Sequence, residues 1–328
     1  MAYDKIWTFT QLNQLPADQT TLLNQCRSFL YFLKTNLLAI GWTVVSSSDS
    51  STQGASDKWT SAAALTWNSS AAARSWILLA SPSNIVVNQA NAAAQVYLCI
   101  ECVSASNSSF YNLTFYSTAP TGGTVAAIPT GGGAQSILTT GAAYINPTLT
   151  SSRFHFASTA NGGWYAGITE ISTSIMSTLL GFIDLADIQL FGANPHPFAI
   201  VGFSYYNLAI ANMTYNVFDS VANTQGVKCF NYDGSAGIPR AMIWCNPASF
   251  VMPGSNTLWT GDINGNVLDS NIYIYNASAG KVSSIGRIPD FRATGASSLI
   301  NSSVDNAVTP AFTFINQLLI PSNTTILT

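Results

Sequence analysis

A mainly β fold (α+β) is the architecture this sequence predicts: an antiparallel β-sandwich or split-barrel core with one long N-terminal amphipathic helix. Three observations predict it. Only one segment carries the three-and-four spacing of apolar residues that marks a helix. Many short apolar, β-branched and aromatic runs follow, punctuated by Gly, Pro and Asn. Nowhere do these runs alternate with helical segments, as a parallel sheet requires. With 328 residues, 48% of them hydrophobic, the chain has ample material for a core.

The helix is legible first. Leu22, Leu23, Cys26, Leu30, Leu33 and Leu37 fall on one stripe, which Phe29, Tyr31, Phe32 and Leu38 widen. Asp18 after Pro16 is placed to cap it and Gly41 to end it, so the spacing predicts a helix over 18–40. Such a helix covers its own sheet or meets another subunit. After Gly41 the texture turns to strands: Trp42 to Val45, Trp76 to Leu79, Gln95 to Val103, Tyr111 to Tyr116, Arg153 to Ser158 and Trp164 to Ile168. Phe198 to Phe203 is apolar enough to be central, and Ala241 to Cys245, Ile272 to Tyr275 and Phe312 to Ile315 complete the set. The cluster of Pro120, Gly122, Gly123, Pro129 and Gly131-Gly132-Gly133 divides the chain. It gives a helix plus β-rich region at 1–118, a Gly/Pro-rich loop or linker at 119–133, and a β-rich region at 134–328. The latter is either separate from the first or continuous with it as one large domain.

Charge is the anomaly. Only 8% of residues are Asp, Glu, Lys or Arg, against roughly 25% in an average soluble domain. The exterior must be built from Ser, Thr, Asn, Gln and Ala, a composition suited to a protein that spends its life against partners. A net charge of -3 and a scatter of single basic residues, such as Arg27, Lys34, Arg74, Arg153 and Arg287, give no patch for nucleic acid. No uninterrupted apolar run reaches the length of a membrane span. Met1 to Lys5 lacks the pattern of an export signal, so folding in the cytoplasm of synthesis is expected.

Candidate chemistry is sparse. Five irregularly spaced cysteines do not form a disulfide framework, and Cys99 and Cys102 on one strand point to opposite faces rather than forming a metal clip. Cys229 and Cys245 lack the second pair a zinc ribbon needs. Of the two histidines, His155 sits in an alternating strand and His196 in a Pro-flanked turn, neither beside a nucleophile. Glu101, Glu170, Asp184, Asp187, Asp233 and Asp262 are the acids a hydrolase could pair, but they are widely spread. Asp262-Ile263-Asn264-Gly265-Asn266 has the start of a calcium loop; its glycine is misplaced and Tyr273 stands where a Glu belongs, so a hairpin turn is expected. Trp59, Trp67, Trp76, Trp164, Trp244 and Trp259 serve either as core and interface anchors or as platforms for sugars. No catalytic, cofactor-binding or metal-binding residue is therefore assigned, and no cofactor is expected.

Several of these segments, taken in order, carry a resemblance. They are the N-terminal helix; Gly41-Trp42-Thr43-Val44-Val45 with its Ser-rich continuation to Ser51; Arg74-Ser75-Trp76-Ile77-Leu78-Leu79; Ala119-Pro120-Thr121-Gly122-Gly123; Arg153-Phe154-His155-Phe156; and Gly286-Arg287-Ile288-Pro289-Asp290. Over residues 18–295 the chain resembles structural proteins of tailed double-stranded-DNA bacteriophage virions. The resemblance implies a non-enzymatic particle component that assembles with itself and other virion proteins. A tail, collar or head–tail position is expected. The alternatives are a capsid decoration protein and a virion module that binds a host carbohydrate or receptor. The absence of a heptad shaft argues against a long fibre.

Overall fold

The computed structural model describes residues 7–12, 22–48, 53–54, 59, 75–82, 86–87, 93–102, 111–116, 118–124, 127–132, 135–138, 153–159, 163–169, 175–184, 198–207, 226–229, 242–244, 250–251, 258–259, 267–276, 281–294, 312–315 and 318–321. The chain opens with β1 (Trp7–Leu12) and α1 (Leu22–Ala39), followed by β2 (Thr43–Ser48), β3 (Gln53–Gly54), β4 (Ser75–Ala80), β5 (Val86–Val87), β6 (Ala93–Ala94), β7 (Tyr97–Cys102), β8 (Tyr111–Tyr116) and β9 (Gln135–Leu138). Then come β10 (Arg153–Thr159), β11 (Trp164–Thr169), β12 (Ile175–Asp184), β13 (Phe198–Asn207), β14 (Gly226–Cys229) and β15 (Met242–Trp244). The last elements are β16 (Phe250–Val251), β17 (Leu258–Trp259), β18 (Val267–Asn276), β19 (Lys281–Thr294), β20 (Phe312–Ile315) and β21 (Leu318–Pro321).

These strands make two main antiparallel sheets. The smaller has the order β3-β2-β4-β7-β8-β9; the larger runs β1-β10-β11-β12-β13-β14-β15-β18-β19-β21-β20. The expectation of a mainly β, antiparallel protein with one helix holds among the described residues. The larger sheet is chiefly a meander, as short turn-punctuated strands favour. It departs from a meander where β15 pairs with β18 and β21 lies between β19 and β20, and above all at β1, which pairs with β10 from Trp7↔Thr159 to Leu12↔Phe154. The helix and the whole smaller sheet are thus inserted between two hydrogen-bonded neighbours. The Gly/Pro-rich stretch 119–133 connects β8 to β9, adjacent strands of the smaller sheet. Asp184, one of the acids a hydrolase could pair, is the last residue of β12, opposite Phe198. Pro289 lies within β19, but the ladder with β18 jumps from Asn271↔Arg287 to Asp269↔Arg292 and leaves it unpaired. A proline in a sheet needs such a gap, having no N–H to give.

The helix stop follows its sequence signal. Gly41 adopts φ +94°, the Trp42 N–H donates to the Leu37 carbonyl at 3.1 Å, and the Gly41 N–H donates to the Leu38 carbonyl at 3.1 Å. This is the left-handed glycine ending that satisfies the last carbonyls of a helix. Asp18, the expected N-cap, lies outside the described residues. Phe29, Leu30, Leu33 and Leu37 on α1 are buried, in keeping with the stripe, and the helix lies against β10.

Both faces of the smaller sheet are covered at β4, where every residue from Ser75 to Ala80 is buried. Cross-strand register sorts them. Ile77, Ile100 and Leu113 form one row and Leu79, Leu98 and Phe115 the next, all on the face turned to the larger sheet. Phe115 stacks on Trp164 of β11, with centroids 6.3 Å apart and planes at 21°. Trp164 also stacks with Phe156 at 6.1 Å and meets Trp42 edge-on at 6.5 Å and 81°. These are the offset and T-shaped geometries that ring quadrupoles favour.

The helix stop gives the first prediction. A Cβ built on Gly41 would meet only Pro82 Cγ, at an ordinary 3.5 Å. The loss in Gly41→Ala is therefore conformational, about 1 kcal/mol. Urea unfolding should show a lower midpoint with an unchanged slope.

Candidate functional site

Among the described residues, the most developed cluster of polar and reactive groups lies on the other face of the smaller sheet. Register places Leu78 beside Cys99 and Thr114, Trp76 beside Glu101, and Ala80 beside Tyr97 and Tyr116. Because side chains alternate along a strand, residues two apart on β7 share this face. Trp76, Leu78, Cys99 and Tyr116 form one buried cluster with Tyr97 and Ile128 packed against it, and Glu101 is only 1% exposed.

What covers the cluster is residues 118–132. This segment is a hairpin in its own right, with paired backbone bonds between Thr121 and Thr130 (2.9 and 3.0 Å) and between Thr124 and Ala127 (2.8 and 3.3 Å). At its base the Thr118 N–H donates to the Gly132 carbonyl at 3.2 Å. Two side chains of the sheet hold it down. The Trp76 indole N–H donates to the Thr124 carbonyl at 2.8 Å, and the Tyr116 hydroxyl donates to the Pro129 carbonyl at 2.7 Å. Glycine is needed where the hairpin comes closest. A Cβ on Gly123 (φ +100°) would stand 2.9 Å from Trp76 Cζ2, and one on Gly132 (φ +59°) would collide with the Thr118 carbonyl.

Electrostatics make the cluster quiet. Burial, then the neighbouring Glu101 carboxyl, pushes the Cys99 thiol well above its ordinary value of 9.0. Burial, then Cys99 and Glu101, raises the Tyr116 hydroxyl above 10.0. A thiol held in its protonated form is a poor nucleophile, and a phenol held protonated is a dependable hydrogen-bond donor. The arrangement therefore packs and binds; it does not activate Cys99.

A second buried polar contact holds the helix side of the molecule. Lys34, 5% exposed, donates from Nζ to the Trp59 carbonyl at 2.7 Å, and its ammonium stands 5.3 Å from the centroid of the Tyr31 ring. A buried ammonium requires such partners.

The residues singled out from sequence distribute plainly. Trp76, Cys99 and Glu101 come together. Trp59, Trp76 and Trp164 are fully buried, so these three act as core and present no platform to a sugar. His155 stands in β10 opposite Gln11 and Gly167; Cys229, Trp244 and Trp259 lie in β14, β15 and β17. Trp67, Glu170, Asp187, His196, Asp233, Cys245 and the segment Asp262 to Asn266 lie outside the described residues. Among the described residues, no group of three or more His, Cys, Asp or Glu lies together that could hold a metal ion. Nor is any helix among them long and apolar enough to cross a membrane. Tyr116 and Lys34 carry contacts that spacing did not reveal, because both partners are backbone carbonyls distant in sequence. No protein-family model matches the chain, and no curated protein matches its sequence significantly.

The buried acids give a pH dependence of stability. Cys99, Tyr116 and Tyr165 all titrate higher in the folded chain than their ordinary values, Tyr165 through burial alone. Below those ordinary values both states keep these protons, and the contribution is flat. Above them the unfolded chain releases protons that the folded chain retains, so stability falls as pH rises. Urea midpoints should hold steady up to about pH 9 and decline beyond it. Tyr116→Phe removes one of the three groups and should make that decline shallower. An identical decline in the variant would mean that Tyr116 plays no part in it.

Proposed function

We propose that this chain is a structural subunit of a tailed-bacteriophage virion, placed in the tail, collar or head–tail region. It acts by assembling with copies of itself and with neighbouring virion proteins, and carries no catalytic site. The sheets form a sandwich in this reading, which the stacking of Phe115 on Trp164 supports.

One observation carries the proposal: the neutrality of the exposed surface among the described residues. Thr35, Thr43, Val45, Thr121, Thr124 and Thr130 are exposed, and every other exposed residue with a described side chain is likewise uncharged. The two charged residues with described side chains, Lys34 and Glu101, are both buried. Charge on a free surface keeps proteins apart, and interface centres are depleted in it. A neutral exterior is suited to permanent neighbours. The resemblance of residues 18–295 to virion structural proteins points the same way.

Antibody against the chain should label intact particles in negative stain, at the tail or neck. Label confined to infected-cell lysate would overturn the proposal. Purified protein should also self-associate, and sedimentation should show that association little changed by an about tenfold rise in ionic strength, as expected of an interface built from uncharged side chains.

A further inference from the structure

We propose that β1 is exchanged between copies of this chain: in the assembled form Trp7–Leu12 of one copy lies on β10 of a second, in the register it takes on its own β10. This rests on the assembly reading and names the contact through which assembly is made.

The way β1 enters its sheet carries the inference. From β10 to β15 the larger sheet is a run of strands in chain order, each paired with the next. β1 reaches the outer side of β10 from beyond that run, across α1 and a smaller sheet whose strands pair among themselves. It is an added edge strand, docked by antiparallel pairing from Trp7↔Thr159 to Leu12↔Phe154 without a shift in register. Left without it, residues 154–159 would present the open backbone ladder on which a strand from another chain docks. The chemistry of the two segments favours a copy of this chain as the donor. Neither Trp7–Leu12 nor residues 154–159 contain Asp, Glu, Lys, Arg or Pro, the residue types that keep strand edges from pairing between molecules. A second copy brings the identical strand, so every bond and contact that β1 makes on its own β10 is remade in the exchanged form. The two forms then differ in the tether and in the nearness of neighbours. Residues 13–21 join β1 to α1, and nine residues span about 30 Å when extended, enough to cross to a touching subunit. A particle holds its copies side by side, which raises the effective concentration of the exchanged strand.

The test places cysteine pairs across this contact in the full chain: Thr8→Cys with Ser158→Cys and, separately, Phe9→Cys with Ala157→Cys, both being register partners. Adjacent antiparallel pairs alternate between the two spacings, so one of the two suits a disulfide, and each stands in where the other variant fails to fold. Sedimentation first shows the assembly state of the wild type and of each variant. The variants are then oxidised and run on a denaturing, non-reducing gel beside the wild type, with the linked peptides identified by mass mapping. Exchange predicts covalent dimers or larger species, joined through positions 8 and 158 or 9 and 157. Assembled protein whose crosslink stays within each chain would overturn the exchange and leave the assembly reading standing. So would the absence of any crosslink at both pairs. A wild-type chain that sediments as a monomer overturns both.

Discussion

The meeting of Trp164 with Phe115, Phe156 and Trp42 is the contact on which the rest of the described structure depends. Each ring comes from a different element: β11, β8, β10 and the residue just past the helix stop. Each pair has a geometry that contributes on the order of 1 kcal/mol beyond the burial of its surface. Their position matters more than their sum. Phe115 extends the row Leu79–Leu98, so fixing it against Trp164 fixes which face of the smaller sheet turns inward. Sheet periodicity is two, and a one-residue slip in β8 would send Phe115 to the hairpin side and Tyr116 to the core. The aromatic junction thus sets the register that places Tyr116 beneath Pro129. Trp42 joins through the helix ending, because the left-handed Gly41 turns the chain so that the next residue donates back to Leu37.

Inward placement of charge is the second constraint. Lys34 and Glu101 are buried in a chain where only 8% of residues are charged. Burying an ammonium is costly unless it is hydrogen-bonded, and the Trp59 carbonyl at 2.7 Å meets that need. Such contacts specify position, since few arrangements of the chain offer a carbonyl at that point. The described exterior is left to Thr, Gly, Ala and Val. Composition alone shows that charge is scarce; only the structure shows that part of the little there is faces inward.

Much of the fold could be read from residue patterns. The stripe Leu30–Leu33–Leu37 and the stop at Gly41 gave α1, and alternation or continuous apolarity gave β2, β4, β7, β8, β10, β11 and β13. Elements with mixed signals escaped. β12 reads Ile175-Met176-Ser177-Thr178-Leu179-Leu180 and has no clear period, so it becomes a strand through its ten-residue pairing with β13. β19 contains Pro289, a breaker in isolation, and is continuous only because its ladder skips that residue. β1 has a strand-like alternation, but its partner lies beyond the whole smaller sheet, and no local pattern encodes that pairing. The candidate site was legible in part. Trp76, Cys99 and Glu101 were each visible as residues of interest, and register alone brings them to one face.

The 118–132 segment shows why its role could not be read in advance. Glycine and proline mark a turn by the backbone angles they permit, and those angles are the same whether the loop swings free or lies on a sheet. What distinguishes the two cases is a donor elsewhere: the Trp76 indole, 48 residues away, and the Tyr116 hydroxyl. Both donors meet carbonyls, which every residue possesses. The anchors therefore constrain the hairpin through its backbone. Gly123 and Gly132 are fixed by contact, one by the Trp76 ring and the other by the Thr118 carbonyl, and Ile128 packs on the cluster. Thr121, Thr124 and Thr130 are exposed on the hairpin. In a chain with so little charge, a backbone-anchored hairpin with exposed neutral side chains is a part of the described surface that can be fitted to a neighbour without disturbing the core.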